Sequence, residues 1–143
     1  MKRLIPVATC TLIILVTFAG CSNSKHGVKC PSLAEWFPTL VVRYQNDLTV
    51  VASAVNSHTL SGIQTAVPII ADGRSTIEAK AVPTEGVVFK AALVNEYDAV
   101  LSDLEEFART GSFTLAQQSK GATVTAQRAK AANDLDAYCG VTT

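Results

Sequence analysis

The acidic residues Glu96, Asp98, Asp103, Glu105 and Glu106 crowd one stretch of the chain. Close carboxylates can divide acid and base roles or bind a cation, and Asp98 and Glu105 are spaced to share one side of a helix. No partner group that would complete such a site is recognisable, and the Glu-x-x-His pairs of a helical di-metal centre are missing, so a solvated acidic face is the expectation. The tyrosines Tyr44, Tyr97 and Tyr138, with His58, are residue types that can ligate haem. Amphipathic helices bury tyrosine routinely, and His58 falls in an expected turn, so core packing and a solvated imidazole are the simpler readings. The other histidine, His26, lies in a polar stretch. The Ala-, Ser- and Thr-rich run from Ala116 to Ala132 could line a groove for an apolar ligand, although tight helix packing is the simpler explanation. No His-Glu-x-x-His, Gly-x-Ser-x-Gly, phosphate-loop or dinucleotide fingerprint appears, and Cys30 and Cys139 match neither a zinc nor a Cys-x-x-Cys spacing. No catalytic residue, metal ligand or cofactor is therefore assigned.

The elements that must position these residues read as four helices. Ser32 and Glu35 are spaced as a capping box. Leu33, Trp36 or Phe37, Leu40, Tyr44, Leu48, Val51 and Val55 then recur at steps of three and four, predicting a helix to about Asn56 that Pro38 bends or delays. Leu60, Ile63, Val67, Ile70 and Ile77 continue the period. Pro68 and the pair Asp72-Gly73 interrupt it, and Ser75 with Glu78 offers a second capping box, so a kinked or broken helix is expected from about 59 to 81. Pro83 through Gly86 marks a turn. Val87, Ala91, Val94, Tyr97 or Asp98, Leu101, Leu104 and Ala108 give the third helix, ending at Thr110-Gly111. The fourth begins near Ser112 and carries Leu115, Ala122, Ala126, Ala129, Ala132, Leu135 and Cys139 on its expected face.

The chain opens with Met1-Lys2-Arg3 and then runs from Leu4 to Gly20 without a charge. This is the layout of the basic and apolar regions of an export signal. The apolar run lies at the lower edge of what spans a ~30 Å hydrocarbon core, and Pro6 shortens its helical part; a permanent membrane helix is the alternative. Thr17-Phe18-Ala19-Gly20-Cys21 resembles the lipobox of bacterial lipoproteins, with Phe18 where members usually carry Leu. The resemblance covers these few residues and implies cleavage after Gly20, with Cys21 becoming the lipid-modified first residue and palmitate among its acyl chains. Small residues at 19 and 20 let a protease approach the backbone, and the Cys21 thiol is the nucleophile that takes the lipid. Residues 1–20 then form the signal peptide, 21–29 a flexible polar tether and 30–143 a single helical domain.

Without Lys2 and Arg3, 10 of the 12 basic residues face 12 acidic ones, so the exported part is close to neutral. Charges alternate in sign and no basic patch or nucleic-acid motif is present, which argues against a nucleic-acid partner. Of the four cysteines, Cys10 leaves with the signal and Cys21 takes the lipid, leaving Cys30 and Cys139 near opposite ends of the domain. In an oxidising compartment such a pair reads as one disulfide, with two free thiols the alternative. Four helices of similar length joined by short turns favour an all-α, antiparallel up-down four-helix bundle. An even helix count returns the chain to its starting pole, which lets Cys30 meet Cys139. A three- or five-helix count would separate them by roughly 30 Å.

These features favour a lipid-anchored protein exported to the bacterial cell membrane and acting as a non-catalytic surface interaction module of the cell envelope. Its partners would be the membrane, through the lipid, and an envelope or incoming protein. A phage- or prophage-encoded superinfection-exclusion lipoprotein is a special case of that class. A carrier of an apolar ligand such as lipid or haem is an alternative of a different class, and an enzyme is disfavoured because no motif positions a nucleophile and base.

Overall fold

The computed structural model describes residues 29–140, and there the protein is all-α. Four helices, α1 (Leu33–Ser57), α2 (Leu60–Ala79), α3 (Val87–Thr110) and α4 (Leu115–Cys139), are joined by short connections, with a single 3-10 turn at Thr84–Gly86 ahead of α3. No strand occurs among the described residues. The expected signal peptide, Cys21 and most of the expected tether lie outside them.

Helix α1 begins at the expected place by a different device. Ser32 has φ −92° and ψ 1°, and its side chain makes no capping hydrogen bond. An N-cap hydroxyl reaches the N2 or N3 amide from an extended backbone, which Ser32 does not adopt. The turn instead uses backbone bonds, Leu33 N–H to Cys30 O at 3.2 Å and Glu35 N–H to Ser32 O at 2.9 Å. The helix continues through Pro38 and ends at His58, which takes the left-handed conformation with φ 49°. Thr59 then caps α2, its hydroxyl accepting from Gly62 N–H at 3.1 Å. The connection is thus only two residues long.

Helix α2 is continuous, where the sequence suggested a break. Pro68 is exposed, so the carbonyl it leaves without an amide donor can be hydrated instead. Gly73 is buried rather than helix-breaking: a Cβ there would collide with Asp47 Oδ2 and lie 2.9 Å from the Tyr97 ring. The glycine is therefore the space into which α1 and α3 bring those two side chains. The expected capping box at Ser75 is not used, since that residue lies mid-helix. At the end of α2, Lys90 Nζ donates to the carbonyls of Glu78 (3.1 Å) and Lys80 (3.0 Å), supplying donors that the last helical turn lacks.

Consecutive helices pack on one another, α1 on α2, α2 on α3 and α3 on α4. Ile63, Ile70 and Ile77 of α2 are fully enclosed with Leu93 and Leu104 of α3. Each such side chain contributes roughly 1.5–3 kcal/mol by leaving water. One end of the core is aromatic. Phe37 packs edge-on to Trp36 with ring centroids 5.8 Å apart and lies 5.0 Å from Phe89. A Cβ on Gly86 would sit 2.7 Å from Trp36 Cη2, so this glycine admits the indole. Trp36 and Phe37 are both core residues.

Two helices present different faces from those the apolar residues suggested. In α3 the buried positions are Phe89, Leu93, Glu96, Tyr97, Ala99 and Leu104, while Val87 is half-exposed and Ala91 exposed. In α4 only Ala131, Leu135 and Cys139 are buried among the described side chains, and Leu115, expected on the inner face, is 84% exposed. The stripe of α4 least open to solvent runs through Gln117, Gly121, Val124, Arg128, Ala131, Leu135 and Cys139. It is a helical stripe containing a charge.

Candidate functional site

Cys30 and Cys139, widely separated in sequence, are joined, with Sγ atoms 2.00 Å and Cα atoms 5.2 Å apart. Both are buried. Lys29, beside the bond, sits with its ammonium 5.6 Å from the centre of the exposed Tyr138 ring. The bond closes the chain between the residues preceding α1 and the last residue of α4.

The acidic stretch of α3 does not form one face. Glu96 points into the core and is 4% exposed. Asp98 turns outward to Arg74 of α2, whose Nε donates to Asp98 Oδ1 at 2.6 Å and which also pairs with Glu78. Glu105 is exposed and Glu106 pairs with Arg109 on the same helix. Burial raises the Asp103 carboxyl above its ordinary range, partly offset by Lys120. Asp98 and Glu105 therefore do not act together, and the expected solvated face fails at Glu96. Among the described residues no three His, Cys, Asp or Glu side chains gather as a metal site would need.

Glu96 belongs to a polar band that crosses the helices. Its Oε2 accepts from Arg128 Nε at 2.6 Å and its Oε1 from the Thr125 hydroxyl at 2.7 Å, tying α3 to α4. The Arg128 guanidinium also lies 5.1 Å from the centre of the Tyr44 ring of α1. Tyr44 meets Tyr97 edge-on with centroids 5.9 Å apart. Tyr97 Oη donates to Asp47 Oδ2 at 2.7 Å, and the same oxygen accepts from Arg43 Nε at 2.8 Å. Arg43 reaches onward to Asp72 of α2 at 3.0 Å. Asp47 and Glu96 are the buried charged side chains among the described residues.

Each buried carboxylate is thus met by one guanidinium and one hydroxyl, the arrangement that makes a buried charge tolerable. Burial, reinforced at Tyr44 by the Glu96 charge and at Tyr97 by the hydrogen bond to Asp47, pushes both phenols above their ordinary range and keeps them protonated. Tyr97 is consequently a fixed donor. The band joins all four helices through polar contacts of defined direction, so its chemistry is that of register and pairing.

The haem-type set does not assemble. Tyr44 and Tyr97 meet inside the core, whereas Tyr138 is exposed beside Lys29 and His58 is exposed in the α1–α2 connection. Along the Ala-rich helix, Ala122, Thr123 and Ala126 face solvent on an open surface with Ser119, Gln127 and Lys130. Asp47 and Arg128 are the residues that sequence reasoning missed. The available signal was their position: Asp47 lies three residues beyond Tyr44, and Arg128 falls between Val124 and Ala131 at helical spacing. No helix among the described residues is long and apolar enough to cross a membrane. No protein-family model, curated protein or solved structure matches the chain at a significant level.

Proposed function

We propose that this protein is exported and held on the bacterial cell membrane by a lipid on Cys21, where its helical domain serves as a non-catalytic interaction module. The observation that carries the exported half of this reading is the joining of Cys30 to Cys139, because structural disulfides persist in oxidising, extracytoplasmic compartments. The lipobox-like residues Phe18-Ala19-Gly20-Cys21 supply the anchor. Support for a non-catalytic role comes from the polar band, whose carboxylates and tyrosine hydroxyl are engaged in holding helices together.

The domain in this reading is an antiparallel up-down four-helix bundle closed at one pole by the disulfide. Cross-helix neighbours support the alternation. Ala54 and Ser57 near the end of α1 lie beside Gly62 near the start of α2, while Asp47, earlier in α1, lies beside Gly73, later in α2. Lys90 at the start of α3 reaches the end of α2, and Arg74, further back on α2, meets Asp98, further along α3. Glu96 meets Thr125 and Arg128, whereas the later Asp103 lies near the earlier Gly121. Each pair runs in opposite directions, and the chain closes where it began.

Detergent phase partition of the full-length protein expressed in a bacterial host tests the anchor. The parent should enter the detergent phase and Cys21→Ser the aqueous phase, or remain as a longer precursor, because acyl chains supply the membrane affinity. Identical size and partition would refute it. For the interaction role, a photo-reactive side chain placed at the exposed Val42 or Val88 in living cells should yield a discrete heavier adduct from at least one position. Absence of an adduct from both positions would count against a protein partner on those faces.

A further inference from the structure

Helix α4 is held differently from the rest. Helices α1, α2 and α3 bury six, five and six residues respectively, whereas α4 buries Ala131, Leu135 and Cys139 among its described residues. Its main packing partner is α3. To α1 it is tied by the disulfide and by Arg128 over the Tyr44 ring. Much of its remaining hold is polar, through Thr125 and Arg128 on Glu96. Segments with few buried apolar contacts open at lower free energy than the core. When α4 swings away, Glu96 and Arg128 both regain water, and their hydration offsets much of the attraction between them.

We propose that the Cys30–Cys139 disulfide is a redox latch for α4, whose reduction lets this helix open while α1, α2 and α3 remain folded. A dithiol reductant carries out the step. Its thiolate attacks one sulfur of the Cys30–Cys139 bond to give a mixed disulfide, and its second thiolate resolves that bond. The dithiol ends as a disulfide, and Cys30 and Cys139 each gain one electron and one proton to become thiols. Both cysteines are buried, so attack requires a brief opening of this pole, and the latch resists reductants that meet only the closed state. Once the thiols are free, α4 still packs on α3 but has no covalent link to α1. Opening removes the Arg128 guanidinium from the Tyr44 ring and exposes the face of α1 and α3 around Tyr44 and Glu96.

Hydrogen exchange by mass spectrometry on the detergent-solubilised full-length protein, oxidised and after treatment with dithiothreitol, tests this. Amides of residues 120–139 should exchange at least about tenfold faster after reduction, while those of 63–77 and 89–104 keep their protection. The Cys30→Ser, Cys139→Ser double variant without reductant should reproduce the reduced pattern. Equal acceleration in all four helices would make the bond a global stabiliser and overturn the latch. Unchanged exchange in α4 would overturn it as well, and so would failure of the double variant to fold.

Discussion

Tyr97 of α3 donates a 2.7 Å hydrogen bond to Asp47 of α1 across the buried face of Gly73. Asp47 Oδ2 also accepts from Arg43, so removing the phenol hydroxyl leaves the carboxylate buried but still paired. Tyr97→Phe should therefore cost about 1.5–3 kcal/mol in denaturant unfolding, the range for a hydrogen bond to a charged group. A double-mutant cycle with Asp47→Asn should return a coupling of about 1 kcal/mol or more. Additive effects would mean that the two groups do not interact.

Gly73 and Gly121 should answer alanine with opposite signs. At Gly73 a methyl group meets Asp47 and Tyr97, whereas at Gly121 the nearest atom is Asp103 Oδ2 at 4.0 Å. Both positions are helical, where alanine gains about 1 kcal/mol in propensity over glycine. Gly121→Ala should thus raise the melting temperature, while Gly73→Ala should lower stability by roughly 1–3 kcal/mol through overpacking. Thermal unfolding of the two variants checks the pair, and a stabilising Gly73→Ala would contradict the close approach of the three helices.

Arg128 should be costly to remove alone and cheaper to remove with its partner. Arg128→Met leaves Glu96 buried with only Thr125 and should cost about 3 kcal/mol. Adding Glu96→Leu removes the stranded charge, so the double variant should be more stable than Arg128→Met. Urea unfolding of both variants decides this, and a double variant less stable than the single one would mean that a lone Glu96 carboxylate at this position costs less than the leucine that replaces it.

The aspartates Asp136 and Asp103 should weaken the fold at neutral pH. Burial raises both carboxyls above the ordinary value. A group whose folded pKa exceeds its unfolded one contributes stability below the unfolded value, near 3.9, and loses it as pH rises through the folded value. Asp136 also places negative charge in the last turn of α4, where the helix dipole disfavours it. Asp136→Asn should therefore raise the melting temperature at pH 7, with the gain shrinking as pH falls below the carboxylate range. On the alkaline side, the raised phenols of Tyr44 and Tyr97 contribute stability below pH ~10 that is lost as pH rises further. An Asp136→Asn gain that grew as pH fell would contradict this sign.

Helix number and limits were legible in the sequence because they follow from period and punctuation. Ile63, Ile70 and Ile77 mark their buried face unambiguously, and Gly111 adopts the left-handed cap with φ 75°. The apparent breakers misled because their role is set by other helices: Gly73 makes room for Asp47 and Tyr97, and exposed Pro68 leaves its carbonyl partner to water. Hydrophobic patterning placed Leu48 inside and passed over Asp47, yet Asp47 is buried and Leu48 is 37% exposed. Similarly, Arg128 concealed the inward stripe of α4. A charge on an apolar stripe can be recognised as internal only once its partner is known, and Glu96 lies on another helix. The cysteines were easier, since few pairings were possible and an even helix count brings the ends together.

Intact mass spectrometry of the protein purified from the membrane fraction of a bacterial host tests the central claim, a lipid-tethered domain closed by one disulfide, most directly. The predicted species begins at Cys21, carries a diacylglyceryl modification and is two hydrogens lighter than its reduced form. A protein retaining residues 1–20 with an unmodified Cys21, or one whose mass shows Cys30 and Cys139 as free thiols, would contradict the account.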